Sequence, residues 1–191
     1  MRRLYEEVHR FENCPREKDG RLRWDFSALM DEVRTGLGKA AAVDSIGFDT
    51  LGCGFWSAGQ KRNIAGRPGC TTATAALPEW WSRRCSTAMD ARTLYGATGN
   101  QIMAINTPFQ ACMAVKEQAP EVWRRAKRLL FMPDLFIHAL CGAQVCERTI
   151  ASTSQMQDAR TGAWDRDVLA AYRIPERMFA LSAPSGTVVS F

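Results

Sequence analysis

Seven cysteines, two histidines and one hydroxyl-rich run are the residues of this chain whose types suggest chemistry. A zinc site wants paired cysteines or histidines at short spacing, because four ligands must converge on one tetrahedron. No two cysteines form a C-x-x-C pair, and Cys141 and Cys146 lie five apart. With an odd number of thiols and no such pairing, neither a metal site nor a disulfide framework is expected, and reduced, mostly buried cysteines are. The run Thr149 to Ser154 lacks a G-x-S-x-G elbow and a partnered histidine, so capping and turn roles are expected of it. His9 sits in an alternating stretch with no Cys, Asp or second His near it, and His138 sits inside an apolar helical stretch; both read as structural.

The elements that would position any site come next. Leu4 to Phe11 alternates with period two, which predicts a half-buried strand. Glu17 to Gly20 is a turn signal, and a strand returning to Trp24 completes a hairpin. From Asp25 the period changes: Phe26, Leu29, Met30, Val33 and Leu37 predict an amphipathic helix, with Gly36 and Gly38 marking its end. "VDSIGFDT" then predicts a short strand ending at Asp49 and Thr50. Further on, Thr107 as N-cap, Pro108 at the first helical position and Gln110 at the third predict a capping box. A second helix is expected from Pro120 through Leu130, and a third over "MPDLFIHALCG" with Asp134 as N-cap and Gly142 as its stop. Trp164, Val168 and Leu169 suit a short packed helix, and "SGTVVSF" reads as the start of a strand. Hairpin, helix and strand in that order predict an α/β layer with part of the sheet parallel.

The 191 residues suit one domain of ordinary size, or a large piece of a bigger one, and 46% hydrophobic with 24% charged residues is globular. No apolar run approaches the roughly 18 residues of a membrane span. The start "MRRLYEEVHRF" has no apolar core of the signal-peptide kind, so a cytoplasmic location is expected and no membrane partner. The net charge of +5 invites the idea of a nucleic-acid partner. Its distribution argues against one. Residues 51–88 hold Lys61, Arg62, Arg67, Arg83 and Arg84 against Glu79 alone, which accounts for four of the five charges outside any patterned face.

Eight stretches in order carry a resemblance: "HRFEN", "WDFSALMDEV", "VDSIGFDT", "LYGATGNQ", "NTPFQACMAVKEQAPE", "LLFMPDLFIHALCG", "ERTIASTSQ" and "GAWDRDVL". Together they resemble the N-terminal domain of the FGGY carbohydrate kinases, closest to the rhamnulokinase branch, over residues 4–50 and 89–189. The resemblance implies an α/β fold: an incomplete ribonuclease-H-like, actin-type ATPase domain, a mixed sheet with flanking helices. It also implies ATP-dependent phosphorylation of a ketose, L-rhamnulose in this branch, with Mg²⁺. Such chemistry needs in-line attack by a sugar hydroxyl, a base to orient it, and donors around the γ-phosphate.

The resemblance breaks between residues 51 and 88. After Asp49 and Thr50 the family pattern continues D-T-W-G-V-D-F-G and later Y-R-D-x-R-T, whereas here "LGCGFW" follows, and the stretch to residue 88 holds three Trp, three Cys and no Asp. Leu51 to Trp56 can be coded TTG GGG TGT GGA TTT TGG, and the same bases read one position later give W-G-V-D-F. Cys70 to Trp80 can be coded so that a shifted reading gives H-Y-R-D-R-R-T. The two stretches need different offsets, so residues 51–88 are expected to be a misread or disordered segment, with the frame returning near Met89.

The family's phosphate turn, D-x-G-x-[ST], and its H-D-T motif with the catalytic aspartate do not occur in this sequence. No catalytic, cofactor-binding or metal residue is therefore carried over. One substrate-binding position is: the glycine of D-T-W-G, whose backbone contacts the sugar in the family, falls on Gly52. Asp49 matches the strand-end aspartate of the same motif and reads as structural at least as readily as functional. Three readings follow. The chain is a kinase fragment inactive on its own, a non-catalytic binding module derived from such a domain, or an unrelated α/β protein that binds nucleic acid.

Overall fold

A computed structural model of the chain describes residues 5–18, 21–40, 42–50, 55–58, 70–71, 88–103, 105–111 and 120–189. A hairpin is present, with the returning strand where expected, but its first strand is not Leu4–Phe11: β1 (Arg16–Lys18), which takes in Glu17 and Lys18 of the expected turn, pairs antiparallel with β2 (Arg21–Trp24), Arg16 facing Arg23. Beyond it β2 pairs with β4 (Cys70–Thr71). Of the strand expected over Leu4 to Phe11, residues 5–11 form none, although they alternate as one does, and Leu4 lies outside the described residues. A strand needs a neighbour for its backbone groups, and among the described residues none lies beside this stretch.

Helix α1 (Phe26–Lys39) begins where the change of period predicts, and the Asp25 carboxylate caps it, accepting from the Ala28 N–H at 3.1 Å. It runs through both glycines to Lys39 rather than ending at them. A reason lies at Gly36, where an added Cβ would stand 3.3 Å from Cβ of His9. The missing side chain makes room for the 5–15 segment rather than terminating the helix. Residues 42–50, expected as a strand, carry no ladder either. Val43 and Ile46 are exposed, and Phe48 instead stacks on Phe136 with centroids 5.3 Å apart.

The central ladder is β3 (Phe55–Ala58) antiparallel to β5 (Arg128–Phe131), Phe55 facing Phe131. This corrects the long helix expected from Pro120. The helix is α4 (Pro120–Arg125) alone, and the chain then extends. Leu129 and Phe131 point into one hydrophobic core and Leu130 into another, so β5 is buried on both faces. A run of apolar residues fits that position as well as it fits a buried helix.

The smaller core sets Phe26 and Met30 of α1 against Leu130 and against Leu135 and Phe136 of α5 (Met132–Cys141). The larger one gathers Leu94 of α2 (Ala91–Thr98), Phe109 of α3 (Thr107–Gln110), Ile150 of α6 (Arg148–Ser152) and Val168 and Leu169 of α7 (Arg166–Ala171). Asp165 caps α7, accepting from Val168 N–H at 2.9 Å, and Trp164 stacks between Phe131 and Phe179. A short parallel pair, β6 (Cys146–Glu147) with β7 (Ser182–Ala183), closes the C-terminal side. Of the strand expected in "SGTVVSF", residues 185–189 form none, since a turn with Gly186 at φ +79° stands there, and residues 190–191 lie outside the described residues. Among the described residues no helix is long and apolar enough to cross a membrane.

Candidate functional site

Gly52, the one expected sugar-contacting position, lies outside the described residues. The described chain reaches toward it from both sides. Phe48 anchors the approach on α5, and β3 leaves along β5. Asp49 is exposed at the end of that approach. The geometry that is described belongs to the framework flanking this passage.

Three of the quoted motifs meet in one buried amide network. Asn100 donates from Nδ2 to the carbonyl of Ser152 at 2.6 Å, and its own carbonyl accepts from Nε2 of Gln155 at 3.2 Å. Nδ2 of Asn106 donates to Oε1 of Gln155 at 2.9 Å and to the Gln101 carbonyl at 2.8 Å. Gln155 is fully buried and sits at φ +63°, a left-handed conformation that a side chain adopts only when its surroundings compel it. The same network explains why the expected capping box does not form. Asn106, not Thr107, is the N-cap of α3, and its side chain is engaged with Gln155 rather than with the helix. The Gln110 amide donates to the Ile105 carbonyl. Nothing in the composition of "NTPFQ" or "STSQ" marks these amides as partners across about fifty residues. Neutral amides position backbone; they do not transfer protons at ordinary pH.

A second junction is ionisable. Asp134, expected as an N-cap, lies inside the first turn of α5, and the N-cap is Phe131. The Asp134 carboxyl is fully buried and accepts from the Glu147 N–H at 3.1 Å through Oδ1, while Oδ2 has no hydrogen-bond partner. Burial is the largest influence on it and pushes it up to about 6, with the Glu147 charge adding to the rise against the backbone hydrogen bonds. Burial also drives the Cys146 thiol far up, aided by the two carboxylates, so this cysteine is no nucleophile. Glu147 goes the other way. Partial burial acts upward on it, but the Thr149 hydroxyl and N–H, the Ser185 hydroxyl and the Ile150 N–H together outweigh it and hold the carboxyl at about 2. Those bonds make Glu147 the cap of α6, at 2.8 Å from Thr149 N and 2.9 Å from Ile150 N.

Both histidines have structural partners. Nδ1 of His138 faces the carbonyls of Gly142 and Ala143 at 3.1 and 3.2 Å, and Gly142, at φ +79°, stops α5 as expected. His9 bridges Glu32 at 2.6 Å and Lys39 at 2.9 Å, which ties the 5–15 segment to α1. Cys14, Cys141 and Cys146 are free thiols, and among the described residues no group of three or more His, Cys, Asp or Glu could hold a metal ion.

Residues 70–190 match the family model described as the FGGY family of carbohydrate kinases, N-terminal domain. A rhamnulokinase of Yersinia pestis (strain Pestoides F) is 31% identical over 189 residues, which is 97% of this chain and 38% of that protein. A rhamnulokinase of Enterococcus faecalis is 34% identical over 193 residues, 96% of this chain and 37% of that protein. The chain thus spans under two fifths of the length of these curated relatives. Among solved structures, a gluconate kinase from Lactobacillus acidophilus superposes with a TM-score of 0.75 at 16% identity, covering 89% of this chain and 35% of that one. A Plasmodium falciparum glycerol kinase with ADP gives 0.70 at 13%, covering 90% and 37%. At those identities the superpositions speak for the fold alone, a mixed α/β domain of the actin-like ATPase kind.

Proposed function

Because the chain belongs to the FGGY family of carbohydrate kinases, we propose that it is part of an ATP-dependent phosphotransferase that converts L-rhamnulose to L-rhamnulose 1-phosphate in rhamnose catabolism in the cytoplasm. The observation that carries the reading is the 31% and 34% identity to rhamnulokinases over nearly the whole chain. Its partners in that role are the ketose, ATP and Mg²⁺. Residues 1–191 are one partial N-terminal kinase domain, and residues 51–88 are a stretch within it read out of the family's frame.

The residues present do not fit ATP and Mg²⁺ by themselves. The 191 residues contain neither the D-x-G-x-[ST] turn nor H-D-T, and no described cluster of acids suits a magnesium ion. Positioning and charge stabilisation are what such enzymes supply to a phosphoryl group. No step of the transfer is therefore assigned to a residue of this chain, and alone it is inactive. The body contributes the framework from which Gly52 would present its backbone to the sugar.

The test has two arms. The purified 191-residue chain is assayed for ADP release with L-rhamnulose, and no turnover is expected; turnover overturns the inactivity. A second chain, with W-G-V-D-F and Y-R-D-x-R-T restored and joined to the remaining segments of a rhamnulokinase, is assayed on L-rhamnulose, D-xylulose and D-gluconate. Preference for L-rhamnulose is expected, and preference for another sugar overturns the substrate. Micromolar retention of L-rhamnulose by the unaltered chain would favour the binding-module reading instead.

A further inference from the structure

The junction of α5 with the β6–α6 corner contains a buried carboxyl that nothing in the kinase reading employs. Oδ1 of Asp134 accepts the Glu147 N–H at 3.1 Å, and Oδ2 is buried with no partner. Water cannot reach this oxygen and no donor answers it, which is an expensive position for a negative charge. The groups around it act in both directions. Strand β6 brings the Glu147 carboxylate, which makes the charge harder to keep, and the Cys146 thiol, whose hydrogen bond eases it without outweighing burial. Strand β7 brings Ser182, which is uncharged, and α6 brings Arg148, whose side chain is out in solvent. On its own helix His138 follows one turn later, occupied through Nδ1 with the carbonyls of Gly142 and Ala143. From α1 the neighbours of α5 are Phe26 and Met30, both apolar.

We propose that Asp134 is a proton-operated joint: the folded protein takes up a solvent proton at this carboxyl, and the uptake tightens the union of α5 with the β6–α6 corner. The O–H bond forms on a carboxylate oxygen, Oδ1 keeps its bond from Glu147 as a carbonyl-type acceptor, and the unpaired charge disappears. The corner so tightened also holds the C-terminal stretch, because Glu147 accepts from the Ser185 hydroxyl at 2.7 Å.

The sign follows from linkage. The folded carboxyl, at about 6, keeps its proton to higher pH than the unfolded one at 3.8. The stabilisation is complete below the unfolded value and is lost as pH rises through about 6. Two measurements on the full chain test it. A carbon-13 NMR titration is expected to show the Asp134 carboxyl titrating near pH 6, and titration at or below pH 4 overturns the proposal. Urea unfolding is expected to show the unfolding constant rising about tenfold between pH 5 and pH 7 from this group. Asp134→Asn is expected to remove that rise, and an unchanged rise in the variant overturns the proposal. Should Asp134→Asn not fold, the titration of the unaltered chain decides.

Discussion

Asn106 donates its side-chain N–H to Oε1 of Gln155 at 2.9 Å, across 49 positions of sequence, and both side chains are buried. That bond joins the start of α3 to the turn after α6. Because Gln155 also reaches Asn100, removing one amide leaves others unanswered in a dry setting. Asn106→Ala should lower stability by about 2 kcal/mol, and Gln155→Ala by a similar amount. A double-mutant cycle by urea denaturation should give a coupling of about 1 kcal/mol. Additive losses would mean the network contributes nothing as a unit.

Glu147 gives an acid response opposite in sign to that of Asp134. Its folded carboxyl lies at about 2, below the ordinary 4.5, because of bonds from Thr149, Ser185 and Ile150. A depressed carboxyl stabilises the fold above the unfolded value and loses that contribution as pH falls through 4.5 toward 2. Thermal melts of the chain from pH 5 to pH 2 should show Tm falling. Glu147→Gln should melt lower at pH 5 and fall less steeply. A parallel fall in the two proteins would remove Glu147 from the account.

Leu130 separates core from surface effects. It is fully buried against α1 and α5, so Leu130→Ala should cost about 2 to 5 kcal/mol through the cavity it opens. Val188 is 89% exposed, and Val188→Ala should change stability by no more than about 0.5 kcal/mol. Urea midpoints of the two variants provide the check. A cheap Leu130→Ala would mean that β5 is not packed on both faces.

What the sequence made legible follows from the range of each signal. Helices α1 and α7 were readable because their apolar faces, Phe26 to Leu37 and Trp164 to Leu169, repeat within a few residues. The β1–β2 hairpin and the Gly142 stop are equally local. Strand β5 was not readable, since Leu129, Leu130 and Phe131 suit a buried helix until two cores are seen, one on each face. The alternation near His9 and the apolar run near Ile46 predicted strands whose partners the sequence does not name. Asp134 looked like a cap, and only its distance to Glu147 reveals the buried junction. Gln155 carried no signal at all, because a left-handed φ on a glutamine is imposed by contacts made elsewhere.

The stretch 51–88 yields the prediction with the widest reach. Its anomaly is chemical as well as textual: five basic residues, three Trp and no Asp replace a family pattern built on two aspartates and a glycine. A functional loop is usually rich in turn formers and polar side chains, since its backbone must be satisfied in water. Deep resequencing of the coding DNA through codons 45–90 should place single-base insertions or deletions after codon 50 and before codon 89, and correcting them should restore W-G-V-D-F and Y-R-D. The glycine then regains the sugar-contacting register that Gly52 occupies only by position. Should every base be upheld, the altered loop is genuine, and the sugar-binding reading of Gly52 falls with the frame argument. The amide network and the Asp134 junction would stand in either case, because they are built entirely from residues beyond the anomalous stretch.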